Sequence, residues 1–215
     1  MPTSPPALRI DREAVLWSAS EVDRVGRPLL ILMHGYGSDE GDLFGISSYL
    51  PLEPVIASVR APIPEGSGFA WFSRYSNDQT NPSPGNANAA AKAVLDWLDE
   101  QPPPPSVGLL GFSQGGAMAL QLLRLAPERF TYAVQLSGYA VRGEEPGDVH
   151  LATHRPPVFW GRGSADDSVT AQAIARTTDW LPSHSTLDSR VYEGLTHAIS
   201  PRELADVSGF IRHVL

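Results

Sequence analysis

Continuous apolar runs alternate along the chain with segments of helical period. Three of these runs read "PLLILMHG", "PVIASVRAP" and "SVGLLGFS", and runs of this kind are typical of strands that are buried on both faces of a parallel sheet. Further along the chain, "YAVQLSG", "PPVFWGRG" and "LDSRVYEG" are strand candidates. Near the start, "LRIDREAVLW" alternates between apolar and polar positions, which predicts an edge strand.

Four segments between and after these runs have helical spacing. They are "NANAAAKAVLDWLDEQP", "GGAMALQLLRLAP", "VTAQAIARTTDWL" and "SPRELADVSGFIRHVL". The second is apolar on almost every side and stops at Pro127, so we expect a buried helix at the centre of the fold. In the last, Ser200 stands at the N-cap, Pro201 at the first helical position and Glu203 three residues after the cap, which predicts a capping box.

Strands that alternate with helices over the whole chain predict an α/β fold. We expect a mostly parallel central sheet with helices on both faces. At 215 residues the chain predicts a single domain, 1–215, in which about 1–7 form a flexible N-terminal tail. The longest irregular stretch runs from about residue 66 to residue 85 and is rich in Ser, Asn, Pro and Gly.

Composition removes several classes of function. The chain contains no cysteine, which excludes disulfides, cysteine-based zinc sites and a cysteine nucleophile. Its formal net charge of -8 argues against nucleic acid as a partner. The start "MPTSPPALRI" lacks the features of a secretory signal, and no apolar run approaches the length that spans a bilayer. We therefore expect a cytoplasmic protein that is not integral to a membrane.

The strand "SVGLLGFS" and the helix that follows it meet at a GxSxG motif with Ser113 at its centre. In α/β hydrolases a nucleophilic serine occupies a sharp turn between a strand and a helix, and its neighbours must be small. Gly111 and Gly115 remove side chains that would collide there, and Gly116 lets the helix approach the sheet. The motif and its setting make Ser113 a candidate nucleophile.

A serine hydroxyl needs a base to accept its proton, and in this fold the base comes last in chain order. Of six histidines, His184, His197 and His213 lie far enough after the serine. His184 precedes a strand and His213 lies deep in the last helix. His197 follows a strand and precedes a capped helix, so it lies at the edge where ligands bind and is the predicted base.

The third group, which orients the base, is expected on the loop after "PPVFWGRG", where Asp166 and Asp167 are adjacent. Chemistry alone accepts either carboxylate, and we prefer Asp166. Asp167 stands before a helix that we expect to begin near residue 168, so it suits an N-cap. Asp148 and Asp179 are interpreted as ordinary surface carboxylates.

Acyl transfer also needs backbone N–H groups directed at the developing oxyanion. One is predicted at Gln114, directly after the serine, and the other at Tyr36 in the loop "LMHGYGSDEGDLF". This loop is no dinucleotide motif, because Glu40 stands where a third glycine is required. His34 is interpreted as a brace for the loop rather than a proton carrier.

The blocks "HGYGSDEGDL", "RAPIPEGSGFAWF", "GFSQGGAMAL", "GSADDSV" and "YEGLTHAIS" resemble, in this order, those of the phospholipase/carboxylesterase family, which includes the acyl-protein thioesterases. The resemblance runs from about Leu29 to the C-terminus. It implies an α/β-hydrolase fold without a large cap, and hydrolysis of carboxylic esters or thioesters through Ser113, Asp166 and His197. It implies no metal and no organic cofactor.

The resemblance also marks a candidate pocket and two departures. Trp71 and Phe72 match a block that would line the substrate cleft, although both are equally interpretable as core aromatics. Arg162 stands where the family usually has histidine, and Thr170 where it usually has proline. Arg162 would then either shift selectivity or form a surface salt bridge.

Three functions remain as hypotheses. The first is a serine esterase that acts on short to medium acyl esters or thioesters, and the second is a deacylase of proteins or lysophospholipids. The third, from another class, is a non-catalytic binding module, because a fold alone does not fix a function. The expected partner is a small-molecule ester or an acylated substrate, and a homodimer remains an open alternative to a monomer.

Overall fold

The computed structural model describes residues 7–73 and 82–215. Residues 1–6, most of the predicted tail, and residues 74–81 of the predicted long loop lie outside the described residues. None of the helices in the described ranges is long and apolar enough to cross a membrane.

The strands follow one another in the chain largely as the apolar runs predict. They are β1 (Leu16–Trp17), β2 (Leu29–Met33), β3 (Val55–Val59), β4 (Ile63–Glu65), β5 (Gly68–Ala70), β6 (Val107–Phe112), β7 (Tyr132–Leu136), β8 (Pro157–Gly163) and β9 (Thr186–Tyr192). Seven of them form one sheet in the order β1-β3-β2-β6-β7-β8-β9, while β4 and β5 form a separate hairpin. Within the sheet only β1 is antiparallel to its neighbour, which confirms the predicted mostly parallel sheet.

In the described ranges, six α-helices connect and cover the strands. They are α1 (Glu40–Phe44), α2 (Pro84–Asp99), α3 (Gln114–Leu125), α4 (Asp148–His154), α5 (Ala171–His184) and α6 (Pro201–Val214). The four predicted helices correspond to α2, α3, α5 and α6, and the capping box at the start of α6 is present. The short helices α1 and α4 carry too few turns to show helical periodicity in the sequence.

The sheet separates two apolar layers. Alternate residues of β2 point to opposite faces, so Ile31 packs with the layer that contains α2, α3 and α5, whereas Leu30 and Leu32 pack with the layer that contains α1 and α6. Every residue of β2 is buried. This two-sided burial is why the strand reads as a continuous apolar run rather than as an alternation.

The predicted edge strand near the N-terminus is mostly wrong. Only Leu16–Trp17 pair with the sheet, and Arg12–Ala14 form a 3-10 turn instead. Asp11 explains the difference, because its side chain accepts a hydrogen bond from the Glu13 N–H at 3.1 Å. Such a local bond favours a turn over an extended strand.

Asp148 is not an ordinary surface carboxylate. Its two oxygens accept hydrogen bonds of 2.8 and 2.7 Å from Arg124, whose side chain is 1% exposed. Burial alone would raise the pKa of Asp148, but the bonds from Arg124 outweigh it and hold that pKa below its usual value. This pair joins α3 to the start of α4. The interpretation of Asp179 as exposed is confirmed.

Helix α6 places a carboxyl group inside the protein at Glu203, which is 1% exposed. Its Oε2 accepts the capping-box hydrogen bond from the Ser200 N–H at 3.4 Å, and its Oε1 has no hydrogen-bond partner. It packs against Gly161 of β8, where a Cβ atom would overlap the carboxyl group. Burial, reinforced by the charge of Asp206, raises the pKa of Glu203 from 4.5 to about 7.

This buried carboxyl group predicts a loss of stability at alkaline pH. The folded-state pKa lies above the unfolded value, so the protonated form stabilises the fold below pH 4.5 and the benefit is lost as pH rises through 7. The full loss is about 3 kcal/mol. Glu203→Gln keeps the capping acceptor without ionising, so we expect its Tm to exceed that of the wild type by several degrees at pH 8.5 and to match it near pH 5.

Thermal melts from pH 5 to pH 9 measure this difference. Glu193→Gln is the matched control, because Glu193 is exposed and its substitution should leave the pH dependence of the wild type intact. Parallel curves for Glu203→Gln and wild type would contradict the predicted ionisation.

Candidate active site

Ser113 lies on the turn between β6 and α3 in a strained backbone conformation, with φ 54° and ψ -116°. Its N–H donates to the carbonyl of Leu136 in β7 at 2.8 Å, which ties the turn to the sheet. Side chains are excluded nearby, since a Cβ on Gly111 would overlap the Gly115 carbonyl and one on Gly115 would overlap the Met33 carbonyl. The turn therefore has the geometry of a nucleophile elbow.

His197 lies between β9 and α6 and reaches the serine. Its Nε2 is 2.8 Å from the Ser113 Oγ, and the centre of its ring lies 4.8 Å from the centre of the Phe112 ring. The other two candidate histidines lie elsewhere. His184 ends α5, where its ring stacks on Trp180, and His213 lies in the last turn of α6.

Asp166 follows β8 and holds the far side of the imidazole. Its Oδ2 is 2.8 Å from the Nδ1 of His197, and its side chain is 3% exposed. The Oδ1 accepts the Ser168 N–H at 2.9 Å. Burial alone would raise the pKa of Asp166, but the hydrogen bonds from His197 and its other donors outweigh it and hold that pKa below its ordinary value.

The capping role that the sequence suggests for Asp167 is wrong. Helix α5 begins at Ala171, not near residue 168, and its N-cap is Thr170, whose side chain accepts from the Ala173 N–H. Asp167 is exposed, and the backbone donor at Ser168 turns to the Asp166 carboxylate instead. One of the two departures from the family pattern is thereby explained, because threonine caps a helix and proline cannot accept that bond.

The loop after β2 is held against the β4–β5 hairpin. The Gly37 N–H donates to the Phe69 carbonyl at 2.8 Å, which fixes the chain beside Tyr36. His34 is fully buried; its Nδ1 donates to the Gly35 carbonyl at 2.7 Å and its Nε2 accepts the Ala61 N–H at 3.0 Å. Burial lowers the pKa of His34, so a neutral ring braces the loop as the sequence suggested.

Gln114 is the first residue of α3, so its N–H belongs to the turn whose donors have no partner within the helix. Its side chain is buried and links two backbone groups. The Oε1 accepts the Trp71 N–H and the Nε2 donates to the Phe72 carbonyl, each at 2.8 Å. Sequence reasoning missed this link, which fixes the segment after β5 to the nucleophile turn.

Trp71 and Phe72 do not line the cleft. Their side chains are 0% and 1% exposed, and both pack in the apolar layer beside α2 and α3. The Trp71 Nε1 also donates to the His34 carbonyl at 2.9 Å. The core interpretation of these aromatics is therefore correct, and the predicted substrate-binding role is wrong.

A cleft of about 290 Å³ opens above Ser113. Its described lining comprises Gly35, Tyr36, Ser38, Asp42, Phe112, Ser113, Gln114, Tyr139, Ser168, Val169 and His197. The two predicted oxyanion residues, Tyr36 and Gln114, thus border the same space as the serine and the histidine. The other departure, Arg162, is a residue of β8, and its guanidinium is 5.7 Å from the centre of the Trp160 ring. It forms no ion pair with the described residues.

A model of the phospholipase/carboxylesterase family matches residues 19–215. The chain belongs to the phospholipase/carboxylesterase family. It is accordingly an enzyme of the carboxylesterase and thioesterase class, with the α/β-hydrolase fold and no large cap in the described residues.

Relatives of this chain include proteins named as thioesterases and proteins named as carboxylesterases. Acyl-protein thioesterase 1 of Candida albicans is 28% identical over an alignment 216 positions long, which covers 86% of this chain and 91% of the relative. A probable carboxylesterase of Oryza sativa subsp. japonica is 26% identical over 174 residues, which cover 77% of this chain and 64% of the relative. The crystal structure of a carboxylesterase from Mesorhizobium loti has a TM-score of 0.77 at 21% identity and covers 96% of this chain and 99% of that one.

Proposed function

We propose that this enzyme is a serine hydrolase that cleaves short to medium acyl esters or thioesters through an acyl-enzyme. One observation carries the proposal: a continuous chain of contacts of 2.8 Å each runs from the Ser113 Oγ through His197 to the Asp166 carboxylate. A hydroxyl, an imidazole and a carboxylate in this order form the arrangement that activates serine.

In the first half of the proposed reaction the Ser113 Oγ attacks the carbonyl carbon and its proton passes to the Nε2 of His197. Asp166 holds the proton of the Nδ1 and stabilises the imidazolium that forms. The N–H groups of Tyr36 and Gln114 receive the oxyanion. The tetrahedral intermediate then expels the alcohol or thiol, which takes the proton from His197.

In the second half a water molecule loses a proton to His197 and attacks the acyl carbon. The Ser113 Oγ leaves and regains its proton, which releases the carboxylic acid and the free enzyme. The cleft volume of about 290 Å³ lies near the lower end of the range for ligand pockets, which favours a short acyl chain.

A second candidate is a deacylase of proteins or lysophospholipids. It is favoured by the similarity to acyl-protein thioesterase 1 of Candida albicans, which extends over 86% of this chain. An acyl-length series separates the two candidates: an optimum at short chains in small esters favours the esterase, and an optimum at long chains favours the deacylase.

Labelling with a fluorophosphonate probe tests the shared mechanism. We expect one label per chain, located on Ser113 by peptide mass spectrometry, together with loss of ester hydrolysis in proportion to labelling. Folded protein that remains unlabelled and inactive toward the whole ester and thioester series would refute the hydrolase and favour a binding module.

A further inference from the structure

Strand β9 forms one edge of the seven-stranded sheet. It pairs with β8 over its whole length, from Thr186 opposite Pro157 to Tyr192 opposite Gly163. No other strand of the described residues lies beside it, and within those residues the backbone of 187–191 has no hydrogen bond to an element other than β8. An edge strand presents N–H and C=O groups with which a further strand can pair. The opposite edge strand, β1, has only two residues, so β9 is the edge that is long enough to be extended.

The side chains of β9 alternate between the two faces of the sheet. Leu187 packs against the apolar layer that contains α2, α3 and α5, so Ser189 and Val191 point to the same face. Val191 is 53% exposed. Asp188 and Arg190 point to the opposite face, where the Arg190 Nε and Nη2 donate to Asp188 at 2.7 and 3.2 Å. The side chains of this ion pair are 38% and 49% exposed, so each can take a further partner.

The sequence of β9 is complementary to itself about Ser189. An acidic residue precedes this serine and a basic residue follows it, and an apolar residue flanks the pair on each side. In an antiparallel pair of two β9 strands, the two Ser189 residues can lie opposite each other. Asp188 then lies opposite Arg190 of the partner subunit. Leu187 lies opposite Val191 of the partner subunit. Opposite charges and apolar side chains directly across an antiparallel pair both stabilise it, and a two-fold axis makes each contact occur twice.

Charge also selects one register of this pairing. A two-fold axis perpendicular to the sheet keeps the faces of the two copies aligned, so a change of register moves the axis by a whole residue. An axis at residue 188 would place two Asp188 carboxylates opposite each other, and an axis at residue 190 would do the same with two Arg190 guanidinium groups. Like charges directly across an antiparallel pair are destabilising. Of these three registers, only the one centred on Ser189 pairs each acid with a base.

We propose that the protein forms a two-fold symmetric dimer through antiparallel pairing of β9 with β9 of a second copy, centred on Ser189. The result is a continuous sheet with seven strands from each subunit. The four charged side chains then alternate in sign, because each Asp188 has an arginine beside it on its own strand and another across the interface. Networks of this kind stabilise more than isolated surface pairs. Main-chain hydrogen bonds supply the affinity in such strand addition, and side chains supply the specificity.

This interface is remote from the candidate nucleophile. Ser113 follows β6, and β7 and β8 lie between β6 and the β9 edge. Dimer formation can therefore be measured whether or not the protein hydrolyses esters, and a monomeric wild type would leave the proposed hydrolase mechanism intact.

Sedimentation equilibrium of the full chain measures the assembly. We expect a mass of twice 23.2 kDa for the wild type at high protein concentration. Added salt should promote dissociation, because the charges at this edge lie near solvent and are screened by it.

Charge reversal tests the register. Asp188→Arg and Arg190→Asp each place like charges opposite each other, so we expect the dissociation constant of the dimer to rise at least about tenfold in each variant. A mixture of the two variants should form heterodimers, because one subunit then supplies two basic side chains and the other two acidic ones. The double variant, Asp188→Arg with Arg190→Asp, exchanges the charges and should dimerise like the wild type. Asp96→Arg is the control, since it reverses one charge of the exposed Lys92–Asp96 pair on α2 and should leave the dissociation constant unchanged.

Wild-type protein that keeps the mass of one chain at the highest soluble concentration would overturn the proposal. It would favour the alternative that Asp188 and Arg190 protect the sheet edge from pairing. A wild-type dimer that neither single reversal weakens would also overturn it, because the interface would then lie elsewhere. So would folded single variants whose mixture forms no heterodimer.

Discussion

Ser113→Ala is expected to fold normally and to lose at least about a thousandfold in kcat toward a short-chain ester. The substitution removes the Oγ that would attack the carbonyl and leaves the turn intact, since alanine meets the same backbone constraints as serine at φ 54°. The residual rate would come from the oxyanion donors and substrate binding alone. Initial rates, normalised to folded protein by thermal melting, measure the loss.

A second serine in the cleft supplies the matched control. Ser168 also lines the space above the nucleophile, but its side chain is exposed and only its backbone N–H contacts the acid. Ser168→Ala should therefore keep kcat within a few fold of the wild type. If folded Ser113→Ala retained most of the activity, the nucleophile would have to be another residue.

The sheet could be predicted because a strand that is buried on both faces appears in the sequence as an unbroken apolar run. β2 lies between β3 and β6, so each of its residues faces an apolar layer and the run is unbroken. β1 has one neighbouring strand and only two residues, and the segment before it is set by the hydrogen bond that the Asp11 side chain accepts from the Glu13 N–H. Short elements of this kind depend on single contacts, which cannot be predicted from the spacing of apolar residues.

The candidate site divides in the same way. Ser113, Asp166 and His197 each follow a strand of one parallel sheet, and strand ends in such a sheet share an edge, so their meeting could be predicted from chain order. The burial of Trp71 could not be predicted, because the sequence around an aromatic residue does not distinguish a position in the core from one that lines a cleft.

Local spacing also gave a wrong helix cap at the acid loop, and it did not predict the backbone conformation of Ser137, whose φ is 47°. An aspartate before a helical pattern predicts a cap, but the true helix starts later and Thr170 caps it. The left-handed conformation of Ser137 results from how β7 leaves the sheet beneath α3. Tertiary packing imposes that conformation, and the adjacent Gly138 is the only local sign of a turn there.

Asp166→Asn is expected to lower kcat by about ten-thousandfold with little change in Tm. The Ser168 N–H donates to the Oδ1 of Asp166, so an asparagine would turn its carbonyl oxygen to that donor and its NH₂ group toward the Nδ1 of His197. The imidazole would then accept at Nδ1 and carry its proton on Nε2, which faces the Ser113 Oγ. A base in that tautomer cannot accept the serine proton.

Asp167→Asn is the control for this substitution, since it removes the same charge from the adjacent residue. Asp167 is exposed and does not cap α5, so both kcat within a few fold of the wild type and an unchanged Tm are expected. Steady-state kinetics of the two variants on one ester, with melts of each, make the comparison. Activity lost in Asp167→Asn and kept in Asp166→Asn would move the acid to Asp167, whereas activity kept in both would remove the carboxylate from the mechanism.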